Sequence, residues 1–180
     1  MDEFKGEGLL YQLFSVILLN MILRRPTISK ASYKGFYRPT NPSKYQGDPN
    51  NCVYRSLWER RFMVFCDTNP NVIEWSSEEV VIPYRSPFDM KIHRYFVDFC
   101  IRTKNKDGLV ETTLIEIKPK KKTIQPVAVP VGARVSKGKL MEIRDWMINN
   151  AKWEAAKEFC ADKKWKFQIL TENEIFGAGK

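Results

Sequence analysis

Tyr95-Phe96-Val97-Asp98-Phe99-Cys100-Ile101 and Leu114-Ile115-Glu116-Ile117-Lys118, joined through Lys104-Asn105-Lys106-Asp107-Gly108, decide the fold. Both arms carry β-branched and aromatic residues at period two, and the Asp-Gly between them is a strong local turn signal, so the stretch reads as an antiparallel β-hairpin. Side chains alternate along a strand, which puts Asp98 on a face with Phe96 and Cys100, and Glu116 on a face with Leu114 and Lys118. Asp107 lies midway between the two acids, so a hairpin centred there sets Asp98 directly opposite Glu116. Opposed strand residues have Cβ atoms roughly 4.5–5.5 Å apart, and like charges there destabilise the sheet unless something positive lies between them. Clustered carboxylate oxygens favour hard divalent ions, and Mg²⁺ is typically held by one or two carboxylates together with waters and phosphates. Lys118 adds a fixed cation beside any bound phosphate. The alternative is two solvated strand carboxylates with an incidental lysine.

The chain has 180 residues, enough for one domain with appendages and a sizeable core. A formal charge of +9 adds self-repulsion without helping the fold and points to a polyanionic partner, nucleic acid first. Cys52, Cys66, Cys100 and Cys160 match no zinc spacing and are expected as reduced core thiols of a cytosolic protein. His93 is the only histidine, which leaves Ser-His-Asp or Cys-His chemistry a single place to stand.

Residues 9–23 are nearly all apolar but fall short of the roughly 20 residues that cross a bilayer, and the acid-rich start suits a signal peptide poorly. Residues 1–23 are expected to be an apolar N-terminal extension, with Met21 as a second start; an amphipathic partner helix and a short anchor are the alternatives. Residues 24–52 form a basic and aromatic arm broken by four prolines. It is either a nucleic-acid arm, with cations on phosphates and rings on bases, or an extended segment pinned to the domain by its aromatics. Residues 53–180 make the main domain. A helix is expected over 56–67, with Ser56-Leu57-Trp58-Glu59 spaced as a capping box. Capping alone accounts for Glu59. Yet Glu59, Phe62, Met63 and Cys66 follow the i, i+3, i+4, i+7 rule, which puts the carboxylate on the apolar face.

Strands are expected over 72–75 and 79–84 before the hairpin, and a helix over 140–163, a strand over 165–170 and a helical turn over 172–176 after it. The run Lys118-Pro119-Lys120-Lys121-Lys122 opens an irregular loop, and residues 101–144 hold 11 basic against 4 acidic side chains. Lys120, Lys121, Lys122, Arg134, Lys137 and Lys139 are therefore candidate phosphate contacts, against the plainer reading of a solvated charged surface. The fold class is α/β, a mixed central sheet flanked by helices.

With Glu59 on a first helix, Asp98 on one strand and Glu116-Ile117-Lys118 on the next, followed by a helix and a strand, residues 53–171 resemble the PD-(D/E)xK nucleases, which implies a restriction-endonuclease-like core. Val97 stands where that superfamily's signature has proline. More narrowly, Tyr54-Arg55-Ser56-Leu57-Trp58-Glu59-Arg60, Cys66-Asp67-Thr68-Asn69-Pro70-Asn71-Val72, Trp75-Ser76-Ser77-Glu78 and Ile82-Pro83-Tyr84 resemble the head completion nucleases of tailed phages, a family similar to the TnsA-type endonuclease subunit of a cut-and-paste transposase. The resemblance implies cleavage of double-stranded DNA with Mg²⁺, or Mn²⁺ in its place, and a role in finishing the filled head before tail attachment. It implies contact with head or portal proteins, a place in the host cytoplasm and the virion, and neither a small-molecule cofactor nor a membrane partner. Asp98 and Glu116 would bind the metal, Glu59 would join them directly or through water, and Lys118 would orient the attacking water or offset phosphate charge. A non-catalytic protein that binds DNA ends or plugs the portal, and a host restriction or repair nuclease, are the competing readings.

Overall fold

The computed structural model describes residues 33–127 and 134–177; the expected N-terminal extension, the Met21 start and residues 24–32 lie outside them. A mixed four-stranded sheet forms the centre, built from β3 (Val72–Ser77), β6 (Phe99–Lys104), β7 (Val110–Ile117) and β8 (Lys166–Leu170) in that order. β3–β6 and β6–β7 pair antiparallel, whereas β7–β8 is parallel. Helices α1 (Leu57–Thr68), α2 (Lys120–Thr123), α3 (Lys137–Lys163) and α4 (Glu172–Phe176) complete the main body. A parallel pair needs a long crossover, and α3 supplies it between β7 and β8.

The two faces of the sheet are buried by different helices. Phe62, Met63 and Cys66 of α1 pack with Val72, Trp75, Phe99, Ile101, Ile115 and Ile117. Ala156 and Cys160 of α3 pack with Leu114 and with Ile82, Tyr84 and Tyr95 from the separate two-stranded sheet β4 (Val81–Arg85) and β5 (Ile92–Phe96). Period-two alternation thus sends odd-numbered apolar residues of β6 and β7 to α1 and even-numbered Leu114 to α3.

The hairpin register is the expected one. Every cross-strand pair from Phe99↔Ile115 to Lys104↔Val110 is centred on Asp107. Two details differ. The arm expected as one strand from Tyr95 to Ile101 is interrupted, because β5 ends at Phe96 and β6 begins at Phe99. Val97 and Asp98 span the step from one sheet to the other, with Val97 N donating to Val80 O and Glu78 N to Asp98 O. The connection is also longer than a two-residue turn. Asn105 Oδ1 accepts from Asp107 N and Leu109 N, and Gly108 takes φ 81°, a left-handed conformation that glycine adopts without penalty.

Part of the segment read as an arm is core. β1 (Gly35–Phe36) pairs with β2 (Val53–Tyr54), and Tyr45 bridges to Trp75. Tyr37 and Tyr45 are buried against Trp75, with the Tyr45 ring centroid 4.6 Å away. Asp67, at the end of α1 and sealed from water, accepts from Tyr37 OH (2.8 Å), Thr40 N (2.7 Å), Thr40 Oγ1 (2.6 Å) and Asn41 N (3.0 Å). Lys44 donates to the carbonyls of Asp67 and Asn69, closing the C-terminus of the helix with a cation where the helix dipole favours one.

Candidate active site

Asp98 and Glu116 meet at the ends of the central strands, on the α3 face of the sheet. Asp98 Oδ2 accepts from Ile117 N at 2.7 Å, which ties its carboxylate to the strand that carries Glu116. Glu116 is buried, and its two oxygens are divided: Oε1 faces Lys118 Nζ at 2.7 Å, and Oε2 accepts from Tyr95 OH at 2.7 Å. Lys118 follows β7 directly, and its own N–H is fixed by Leu170 O of β8.

These charges act on one another. Desolvation pushes the Asp98 carboxyl well above the usual aspartate range, and the negative Glu116 pushes it further, while Lys118 and the Ile117 amide pull it back. Burial draws the Lys118 ammonium down, but Glu116 and Asp98 outweigh it, so its pKa lies above the ordinary lysine value and it stays charged. Glu116 also raises Tyr95, second to burial. Asp98 keeps an opening to solvent while packed deeply among protein atoms, the setting in which a carboxylate gains most from an arriving cation.

Glu59 is half-buried at the N-terminus of α1, on the other side of the sheet. Ser56 Oγ accepts from Glu59 N (3.1 Å), while Glu59 accepts from Ser56 Oγ (2.8 Å) and Arg55 N (2.6 Å). The carboxylate therefore closes the helix end, yet its charge still raises both Asp98 and Lys118. A strut links the two: Arg55 grips Glu78 through Nε and Nη2 at 2.8 Å each, and Glu78, at φ 58°, donates its N–H to Asp98 O. A glutamate in the left-handed region beside the acid pair is the kind of local strain that collects at functional sites.

Among the described residues no three His, Cys, Asp or Glu side chains lie together closely enough to hold a metal on their own. The donor set is two carboxylates with a lysine beside them, which suits an ion that completes its shell with water and phosphate, as Mg²⁺ does. His93 takes no part; it is exposed on β5 and pairs with Asp89 at 2.8 Å. The four thiols are free, three of them buried, and Cys100, partly buried, is pushed up to about 11 by desolvation.

The basic residues spread more widely than one loop. Lys120, Lys121 and Lys122 lie on α2 where irregular chain was expected, and α3 begins at Lys137, earlier than the expected 140. Lys122 pairs with Asp145 (2.7 Å) and Lys139 with Glu142 (3.2 Å), so part of this charge is already matched. Lys121, Lys122, Met141 and Trp146 line a groove of about 350 Å³ between α2 and α3. Arg134 and Lys137 are exposed.

Residues 69–172 match the TnsA-like endonuclease N-terminal domain. The chain belongs to the TnsA-like endonuclease family. That family likeness spans the whole central sheet and places Asp98, Glu116 and Lys118 inside the matched region. The chain is also 41% identical over 149 residues to the head completion nuclease of Enterobacteria phage T4, covering 82% of this chain and 97% of that protein. As a TnsA-like endonuclease domain, the fold has the restriction-endonuclease-like arrangement of a mixed sheet between helices.

Two residues of this surrounding were not singled out in the sequence. Tyr95 reaches Glu116 from a different sheet, which no local pattern announces. Lys152 of α3 lies near the acid pair, and it shares a helical stripe with Ile148, Ala155, Ala156 and Phe159. The same spacing argument that drew notice to Glu59 applies to it.

Proposed function

We propose that this chain is a Mg²⁺-dependent DNA endonuclease that acts in completing the phage head, on packaged DNA ends before the tail attaches. The observation that carries the reading is the pairing of Asp98 with Glu116 at the strand ends, with Lys118 held against Glu116. Asp98 and Glu116 would hold the ion, and Glu59 would join them directly or through water on release from its capping contacts. Bound there, Mg²⁺ or Mn²⁺ supplies Lewis-acid chemistry, neutralising phosphate charge and acidifying water. Tyr95 orients Glu116 by fixing Oε2, and the Ile117 amide orients Asp98 by fixing Oδ2. Lys118 keeps its proton and presents positive charge to the scissile phosphate as negative charge grows there. Lys120, Lys121, Lys122, Arg134, Lys137 and Lys139 would contact duplex phosphates without reading sequence. Head or portal proteins are the partners this role calls for, in the host cytoplasm and on the virion; among the described residues no helix is long and apolar enough to cross a membrane.

Purified protein incubated with linear, circular and single-stranded DNA should cut duplex with Mg²⁺ or Mn²⁺ and stop with chelator. Cleavage that persists in chelator would overturn the metal reading. DNA-end binding without any cleavage would leave a non-catalytic head protein.

A further inference from the structure

We propose that Lys152 is a second working cation of the site, presented by Tyr84 and Tyr95 to a backbone phosphate of the bound DNA strand. The inference rests on the nuclease reading and adds a residue to it. The Lys152 ammonium lies over the Tyr95 ring at 5.4 Å and the Tyr84 ring at 5.7 Å. Among the described residues no carboxylate lies within 4.0 Å of it. The nearby anions are already engaged: Glu116 with Lys118 and Tyr95, Asp98 with the Ile117 amide.

Lys152 nonetheless belongs to the electrostatics of the site. Desolvation lowers its pKa below the ordinary lysine value, Glu116 and Asp98 push it back up, and Lys118 pushes it down. An ammonium held partly buried on two ring faces loses much of its hydration, so it gains from an incoming anion. Tyr95 couples the two functions, since its ring supports Lys152 while its hydroxyl holds Glu116. Lys118 and Lys152 lie close enough to act on each other, so the two cations can engage phosphates of one strand.

The test compares Lys152→Met, which keeps the apolar stem and removes the charge, with Lys152→Arg, on the full chain. In metal-free buffer, anisotropy titrations with a short duplex should show the slope of log affinity against log salt reduced by about 0.9 in Lys152→Met and retained in Lys152→Arg. With Mg²⁺, kcat/KM for Lys152→Met should fall by about 100-fold, while its metal-free melting temperature stays level or rises. An unchanged salt slope overturns the proposal, including the case where cleavage and melting temperature fall together, which marks a structural prop. Acetylation mapping of the wild-type protein gives an independent reading: duplex should protect Lys152, and equal labelling with and without DNA overturns the contact. Asp98→Ala separates the two ideas. If that variant cuts like wild type, the nuclease assignment fails; if it is inactive while Lys152→Met keeps its slope and rate, only Lys152 is wrong.

Discussion

Asp67, near the end of α1, and Asp98, in the step between two sheets, are both enclosed aspartates, and their surroundings drive them in opposite directions. Asp67 is sealed from water yet lies close under the surface, and four donors from residues 37–41 converge on it. Burial pushes its pKa up, but the hydrogen bonds from Thr40, Tyr37 and Asn41 win, and it lies below the ordinary value of 3.8. At Asp98 burial pushes the pKa up, the second carboxylate beside it adds to that, and a single backbone donor offsets too little, so it lies well above that value. The first is a joint whose needs are met within the chain. The second is left short of positive charge, as a group must be if a cation or phosphate-bound ion is to complete it.

The contrast is easiest to break at the site. Asp98→Asn should lower Mg²⁺-dependent cleavage on the order of a thousand-fold, and metal-free melting temperature should hold or rise because a repelled charge is gone. Wild-type cleavage in this variant would place Asp98 in the same class as Asp67. Glu59→Gln tests the residue that stands between the two classes, since glutamine is accepted at that capping position. It should melt like the parent but cut about 100-fold more slowly, the size expected of a residue that supports a metal site; full activity would make Glu59 a cap only. Asp67→Ala should cost roughly 2 kcal/mol in urea unfolding, because several donors lose their acceptor, with the cleavage rate per folded molecule unchanged.

Acid sharpens the comparison further. A depressed folded-state pKa means that Asp67 contributes stability above its unfolded value, and that this stability is lost as pH falls from about 3.8 through the lower folded value. Unfolding measured between pH 5 and pH 3 should therefore lose stability less steeply in Asp67→Asn than in wild type; equal slopes would show that the carboxylate is not favoured in the fold. The smallest effect belongs to the basic surface. Neutralising Lys120, Lys121 and Lys122 together should flatten the salt dependence of duplex binding by up to about 0.9 log unit for each phosphate no longer neutralised, with stability unchanged.

The hairpin register was legible because pairing follows from alternation and a central turn, and both are local. The break at Val97-Asp98 was not, since valine favours strand and nothing in the period marks the step between two sheets. The α1 start was legible in Ser56 and Glu59 for the same local reason. What the sequence hid was contact at a distance. Tyr37 and Tyr45 left two readings open, rings for nucleic-acid bases or rings that pin the segment to the domain, and their contacts with Asp67 and Trp75, about thirty residues away, are of the second kind. Tyr95 and Lys152 were hidden likewise, although a lysine on an apolar stripe of α3 carried a usable signal.

The backbone of Lys118 is held by Leu170, in a strand made long after the lysine itself. During translation, Asp98, Glu116 and Lys118 emerge first, but β7 lacks its parallel neighbour until residues 166–170 have left the ribosome. The proposed centre would therefore gain its last supporting strand late, well after its own residues have been made. On the proposed assignment, cleavage would begin with the closing of a strand rather than with the appearance of the residues that carry it.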